Sequence, residues 1–142
     1  MLSDLPDVEA RIAKAIAVFG ALRHALFGSR HITTETRVKV FNTFIMAMVL
    51  YGCESWSVTA VMARRLRSFQ AQCARQILGV SMKKTISKHI TTASLLRRLG
   101  LQDVMYYVRV RQLQYLGKVM RMPPHRLQRN PRRPGRPMKN AA

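Results

Sequence analysis

Residues that could do chemistry are few in this chain, and their spacing fits no catalytic or metal-binding arrangement. The 142 residues include six acids, four histidines and two cysteines. Two-metal catalysis needs clustered carboxylates, but three of the six acids lie within the first nine residues. The histidines and cysteines do not have the spacing of zinc ligands. We therefore expect no metal site and no cofactor.

A nucleophilic triad is the other chemistry that the residue types allow. Ser94, His89 and Asp103 supply the three groups, but no nucleophile-elbow sequence surrounds the serine. Without a convergent acid, base or metal cluster there is no catalytic residue to assign. We expect a chain that is not an enzyme in isolation and has no small-molecule substrate.

The strongest chemical signal is positive charge, and it is unevenly placed. The formal net charge is +19. Residues 1–54 carry six lysines and arginines against five acids, whereas residues 55–142 carry nineteen against Asp103 alone. Such one-sided charge repels itself unless a polyanion neutralises it. RNA, DNA or both are the predicted partners, and a membrane surface is the weaker alternative.

Part of this charge follows one face of the predicted helices, where it could form a track for phosphates, with one tyrosine able to stack on a base. The alternative is a set of solvated helix faces. Ordinary surfaces mix both signs of charge, so the near absence of acids favours binding. The predicted track comprises Arg64, Arg75, Lys83, Lys84, Lys88, Tyr107, Arg111, Lys118 and Arg121.

The rest of the charge lies in a tail over residues 123–142, which contain five of the six prolines and no acid. A segment so poor in apolar residues cannot offset its ordering entropy by burial, and we predict disorder. Residues 135–137 form the Gly-Arg-Pro core of an AT-hook, which enters minor grooves, but a sequence-independent electrostatic role is favoured. The predicted nucleic-acid-binding residues here are Arg132, Arg133, Arg136 and Lys139.

These charges must be positioned by helices, because apolar residues recur at helical spacing from residue 4 to residue 122. Capping residues and glycines predict five helices over about 4–28, 33–52, 59–77, 91–99 and 103–122. Residues 83–88 are predicted to be a connection. The predicted fold is all-α: one bundle over residues 1–122, packed around a second helix that is apolar all round from Phe44 to Tyr51.

Several side chains are expected in this core rather than in a site. Cys53 and Cys73 lie in apolar helical contexts, which predicts buried free thiols. Tyr51 and Trp56 could stack on a primer and template, but burial is favoured for large aromatic residues. Glu54 could pair with an arginine such as Arg75.

The chain lacks the sequence signals of export and of a membrane span. The acidic start, with three acids in the first nine residues, is unlike a secretory signal or a mitochondrial presequence. The apolar stretch over residues 44–53 is shorter than the roughly 20 residues that a bilayer requires. We expect a nuclear or cytoplasmic protein that is not secreted.

Three short motifs carry a resemblance to a known family. They are LYGCESW at residues 50–56, CARQILGV at residues 73–80 and LGKVMRMP at residues 116–123. In this order they resemble the region downstream of the polymerase palm in reverse transcriptases of non-LTR (LINE-type) retrotransposons, where a helical thumb precedes a basic linker. The resemblance runs from about residue 11 to residue 137.

The resemblance implies a truncated fragment of a LINE-type RNA-directed DNA polymerase (an endonuclease–reverse transcriptase), without the palm or the endonuclease active site. No Tyr/Phe-x-Asp-Asp palm motif is present, so the fragment would grip template RNA or an RNA/DNA duplex without doing the chemistry. A palm acting in trans is then a further partner. Two alternatives remain: a stand-alone basic nucleic-acid-binding protein, and a docking module for a separate polymerase core.

Overall fold

The computed structural model describes residues 4–27 and 31–124, and it is all-α with no strand in those ranges. The predicted fold class is confirmed. A π-helical turn, Arg23–Phe27, extends α1, and another, Phe41–Met46, joins α2 to α3. A 3₁₀ turn, Cys53–Ser55, precedes α4. The α-helices are α1 (Leu5–Leu22), α2 (Thr34–Val40), α3 (Ala47–Leu50), α4 (Ala60–Leu78), α5 (Met82–Ser87), α6 (Thr92–Leu99) and α7 (Val104–Met120).

The helix ends follow the capping chemistry of the sequence. The Thr59 side chain accepts the Met62 N–H at 3.2 Å and begins α4, which ends at Gly79 in the left-handed region at φ 69°. The Thr91 side chain caps α6 in the same way, and Gly100 ends that helix at φ 69°. These caps satisfy backbone groups that the first and last turns leave unpaired.

The centre of the bundle is α4 rather than the second predicted helix. It contacts α1, α2, α6 and α7, and it buries Met62, Leu66, Phe69, Cys73 and Ile77. Helix α4 carries this apolar stripe at a spacing of three and four residues, so neighbours can pack along its whole length.

The second predicted helix is interrupted and only partly buried. Its middle widens into the π turn, which directs Phe41, Ile45 and Met46 into the core. Phe44 is 59% exposed and Tyr51 is 73% exposed, so the prediction that this segment is buried all round is wrong. An apolar residue type does not fix which side of a helix meets a neighbour. The Tyr51 ring meets the Arg11 guanidinium of α1, 5.7 Å from its centroid, and stays largely exposed.

A buried glutamine joins α4 to α7. The side chain of Gln70 is 1% exposed. Its Nε2 donates to the Gln102 carbonyl at 2.8 Å, and its Oε1 accepts the Val104 N–H at 2.9 Å. Val104 is the first residue of α7, so this pair of hydrogen bonds fixes where that helix begins against α4.

The corner between α3 and α4 contains the first motif, residues 50–56. Gly52 turns the chain at φ 77°, a conformation that favours glycine. Trp56 is buried here, as predicted, whereas Tyr51 projects outward.

Side chains from α1 and α7 bind the carbonyl groups of this corner. Arg11 donates to the Tyr51 oxygen at 2.6 Å. Arg111 donates to the Leu50 oxygen at 3.3 Å. Gln112 donates to the carbonyls of both Cys53 and Trp56 at 3.1 Å. A turn whose backbone oxygens are bound by two other helices is held firmly in place.

Candidate nucleic-acid interface

Five of the six acids bind partners away from the predicted track. The Asp4 carboxylate accepts the backbone N–H of Ser57 at 2.8 Å. Glu54 does not pair with Arg75, so that prediction is wrong; the two are not brought together by the corner. Within the described residues the ion pairs are Asp7 with Arg11 at 2.9 Å, Glu35 with Lys39 at 3.3 Å, Glu9 with Arg65 at 3.3 Å, and Asp103 with Arg67 at 3.0 Å.

This pairing distinguishes a group of four paired basic residues from the group that forms the predicted track. Arg11, Lys39, Arg65 and Arg67 are neutralised by carboxylates. In the described part of the chain no member of the predicted track has an acid within ion-pair distance. The charge of the track is therefore uncompensated within this part of the chain, which is the state that attracts a polyanion.

On α4 the two groups occupy different faces. Arg64 is exposed, and Arg75 lies half-buried three turns later on nearly the same side of the helix. Arg65 and Arg67 lie to either side of this line, where they meet Glu9 of α1 and Asp103 before α7. The face that carries Arg64 and Arg75 is the basic face of α4.

The segment after α4 is helical rather than a plain connection. Helix α5 is capped by Ser81, whose side chain accepts the Lys84 N–H at 3.2 Å. Lys83 and Lys84 lie on α5, Lys88 is its C-cap residue, and all three are exposed. The sequence prediction missed this helix because it is a single short segment of six residues, but the lysines lie on the surface as expected.

On α7 the predicted members differ in their surroundings. Lys118 and Arg121 are exposed near the end of the helix, and the Arg121 Nε donates to the Gly117 carbonyl at 3.0 Å. Arg111 is half-buried and bound to the corner carbonyl of Leu50. Phosphate binding by Arg111 stays a prediction, but the hydrogen bond gives this residue a structural role that the sequence did not indicate.

The predicted stacking residue, Tyr107, also makes contacts within the fold. Tyr107 is half-buried, and its hydroxyl oxygen accepts the backbone N–H of Gln102 at 3.1 Å. Its ring meets that of Tyr106 edge to face at 5.7 Å between centroids. Tyr106 and Tyr115 are the more exposed tyrosines of α7, and periodicity alone did not distinguish them from Tyr107.

Helix α7 also carries apolar side chains that no described element covers. Its buried residues are confined to the first two turns, at Val104, Met105 and Val108. The outward stripe of α7 is defined here as Tyr106, Leu113, Leu116 and Met120, all of them exposed. Their spacing places them along one side of the helix.

A cleft opens at the C-terminal end of the basic face of α4. It lies between the π turn after α1 and the start of α5, and its volume is about 430 Å³. We name it the α1–α4 cleft. Its polar side chains are Arg23, Gln72, Arg75, Gln76 and Ser81. The sequence identified Arg75 alone as a binding residue, because Arg23 lies on a different helix and the glutamines carry no charge.

The remaining predicted nucleic-acid-binding residues lie outside the described residues. These are Arg132, Arg133, Arg136 and Lys139, together with the Gly-Arg-Pro segment at 135–137. The disorder predicted for residues 125–142 likewise falls outside the described residues.

Both cysteines are free and buried, as predicted. Burial raises the pKa of the Cys73 thiol to about 12, and the nearby Arg75 charge opposes this rise. Burial also raises the pKa of Cys53, as does the charge of Glu54, while Arg111 acts in the opposite direction. A reactive cysteine needs a lowered pKa and access to solvent, so these thiols belong to the core.

The described residues form neither a metal-binding cluster nor a membrane-spanning helix. Across residues 4–27 and 31–124, no group of three or more histidine, cysteine, aspartate or glutamate residues could hold a metal ion. In the same ranges none of the helices has the length and apolar character needed to cross a bilayer.

Comparison with known proteins gives one informative relative. An uncharacterised transposon-derived protein of Caenorhabditis elegans is 22% identical over 122 residues, and the match covers 82% of this chain. The chain resembles a transposon-derived protein. The match covers 41% of that relative's length. No protein-family model and no solved structure matches. The similarity supports a transposon-related origin.

Proposed function

We propose that the chain is a fragment of a LINE-type reverse transcriptase, corresponding to its thumb and basic linker, that binds template RNA or an RNA/DNA duplex through the phosphate backbone. Three motifs and the transposon-derived relative support this ancestry. The chain itself has no catalytic role, and DNA synthesis belongs to a separate palm. The proposed location of the protein is the nucleus or the cytoplasm.

The observation that carries the binding proposal is the separation of charges. Every ion pair in the described ranges uses a basic residue outside the predicted track. The exposed cations of the track therefore keep their attraction for phosphates, and binding releases the counterions that phosphates hold. Since phosphates carry no base information, this binding does not depend on sequence.

Fluorescence anisotropy across a salt series tests the proposal. The full chain is titrated with an RNA–DNA hybrid, double-stranded DNA and single-stranded RNA of equal length. We expect affinity to fall steeply with salt, with a slope of about −0.9 for each phosphate contacted on a duplex. A salt-independent affinity, or none for any of the three ligands, would overturn the proposal.

The outward stripe of α7 favours a second function, docking onto a separate polymerase core. Exposed apolar patches often mark protein interfaces, and Tyr106, Leu113, Leu116 and Met120 form such a patch. A docking module expressed alone would self-associate, so sedimentation velocity tests this alternative. A monomer at high concentration that binds nucleic acid would exclude docking as the main role of the chain.

A further inference from the structure

The α1–α4 cleft combines groups that recognise both parts of a nucleotide. Arg23 comes from the π turn after α1, while Gln72, Arg75 and Gln76 come from the last turns of α4. Val80 and Met82 supply the apolar lining at the start of α5. We propose that this cleft holds one unpaired nucleotide of a single strand. The inference rests on the proposed function and deepens it by naming the nucleotide that the basic face receives.

The phosphate would meet the two arginines. Neither Arg23 nor Arg75 has an acidic partner within the described ranges, and both line the same cleft. A guanidinium group binds a phosphate through paired N–H donors, with geometry that a lysine does not reproduce. Lys83 and Lys84 follow directly on α5 and are exposed for the neighbouring phosphates of the strand.

The base edge would meet the two glutamines, which lie one turn apart on α4. Their side-chain amides make no hydrogen bond to the described part of the chain, whereas the amides of Gln70 and Gln112 bind backbone groups inside the fold. Each side-chain amide offers one donor group and one acceptor. The donor can bind N7 of adenine while the acceptor binds its N6 amino group. Adenine is the base that we assign to Gln72 and Gln76, and uracil is the comparison.

The size of the cleft suits a single base. Its volume of about 430 Å³ falls in the range of about 300–1,000 Å³ typical of small-ligand sites. A paired base is held within its helix and cannot present its edge to so small an opening, whereas unpaired bases are free to leave the stack. Met82 is exposed beside the opening, where it can contact a base.

Single-stranded octanucleotides test the inference in the full chain. Anisotropy is measured with octa-adenylate and octa-uridylate, as RNA and as DNA, beside an RNA–DNA hybrid. We expect about tenfold tighter binding of octa-adenylate than of octa-uridylate. The double variant Gln72→Leu with Gln76→Leu should remove this preference and leave affinity for the hybrid unchanged. The RNA and DNA arms show which strand the cleft accepts.

Matched variants separate the cleft from general charge. Arg64→Ala removes one charge from the same helix, about 17 Å from Arg75 along its axis, and should weaken both octanucleotides equally. Arg23→Ala should weaken octa-adenylate more than the hybrid. Gln72→Glu adds a negative charge to the cleft and should weaken octa-adenylate further, while circular dichroism reports that the helices remain.

Chemical shifts give a readout that does not depend on affinity. The side-chain amide resonances of Gln72 and Gln76 should shift on addition of octa-adenylate, and that of Gln114 on α7 should not. Equal binding of both octanucleotides, or a preference that survives the double variant, would overturn the inference while hybrid binding keeps the proposed function. Loss of binding to every ligand in the unmodified chain would overturn both.

Discussion

The Oε1 atom of Gln70 accepts the backbone N–H of Val104 at 2.9 Å, in the interior of the bundle. The same side chain donates to the Gln102 carbonyl at 2.8 Å. A single polar residue of α4 therefore holds both backbone groups at the entry to α7. The two helices that carry most of the described track are fixed against each other at this point.

Replacing this glutamine by a residue of similar size should destabilise the bundle. Gln70→Leu leaves the Val104 N–H buried without a partner, which costs about 1–3 kcal/mol. Urea unfolding followed by circular dichroism measures the loss. Gln114→Leu, at an exposed position of α7, is the control and should change stability by less than about 0.5 kcal/mol. Equal effects of the two substitutions would show that the buried hydrogen bonds contribute nothing.

Two residues of α7 with the same charge should have opposite roles. Arg111 donates to the Leu50 carbonyl and is half-buried, whereas Lys118 is exposed. Arg111→Met should lower the free energy of unfolding by about 1–2 kcal/mol. Lys118→Met should leave stability nearly unchanged and reduce the salt slope of RNA–DNA hybrid binding by about 1. The interpretation fails if Arg111→Met lowers affinity without a change in stability.

Releasing a paired arginine should strengthen binding. Asp103→Asn keeps a polar cap for α7 but removes the partner of Arg67, so one more cation can meet a phosphate. The salt slope for the hybrid should steepen by about 0.9. Asp4→Asn is the matched control, because Asp4 accepts from the backbone of Ser57 rather than from an arginine. If both variants bind alike, net charge alone governs affinity and the pairing pattern is irrelevant.

The buried thiol of Cys73 gives a pH dependence with a defined sign. The pKa of this thiol is raised from 9.0 to about 12 in the folded chain. Above pH 9 the unfolded chain loses this proton while the folded chain keeps it, so the free energy of unfolding falls as the pH rises from 9 towards 12. Cys73→Ala should flatten the decline in urea titrations over this range. If the free energy of unfolding declines equally in this variant, titrating groups other than Cys73 cause the decline.

The helices could be predicted because their signals are local. Thr59, Thr91, Gly79 and Gly100 mark ends that the backbone confirms, since a cap involves only residues within one turn. The burial of Trp56 followed from its size. The short helix α5 was missed because a six-residue segment has too few turns for its periodicity to be recognised.

The pairing of side chains between helices could not be predicted. Phe44 and Tyr51 are apolar or aromatic but exposed, since exposure depends on which helix lies opposite. The sequence predicts that Arg111 is a surface cation, but its side chain donates to the Leu50 carbonyl, 61 positions away in the chain. The α1–α4 cleft likewise depends on Arg23 meeting α4. Such relationships arise from packing, which one-dimensional periodicity does not encode.

The central claim is that the helices provide most of the phosphate contacts and the tail provides fewer. Two full-chain variants with equal loss of charge test it directly: the helix variant changes Lys83, Lys84, Lys88 and Lys118 to glutamine, and the tail variant changes Arg132, Arg133, Arg136 and Lys139 to glutamine. The measurement is the salt slope of binding to an RNA–DNA hybrid. The account predicts that the helix variant loses about 3 to 4 units of slope and that the tail variant loses fewer. Binding that disappears in the tail variant and is unchanged in the helix variant would contradict it.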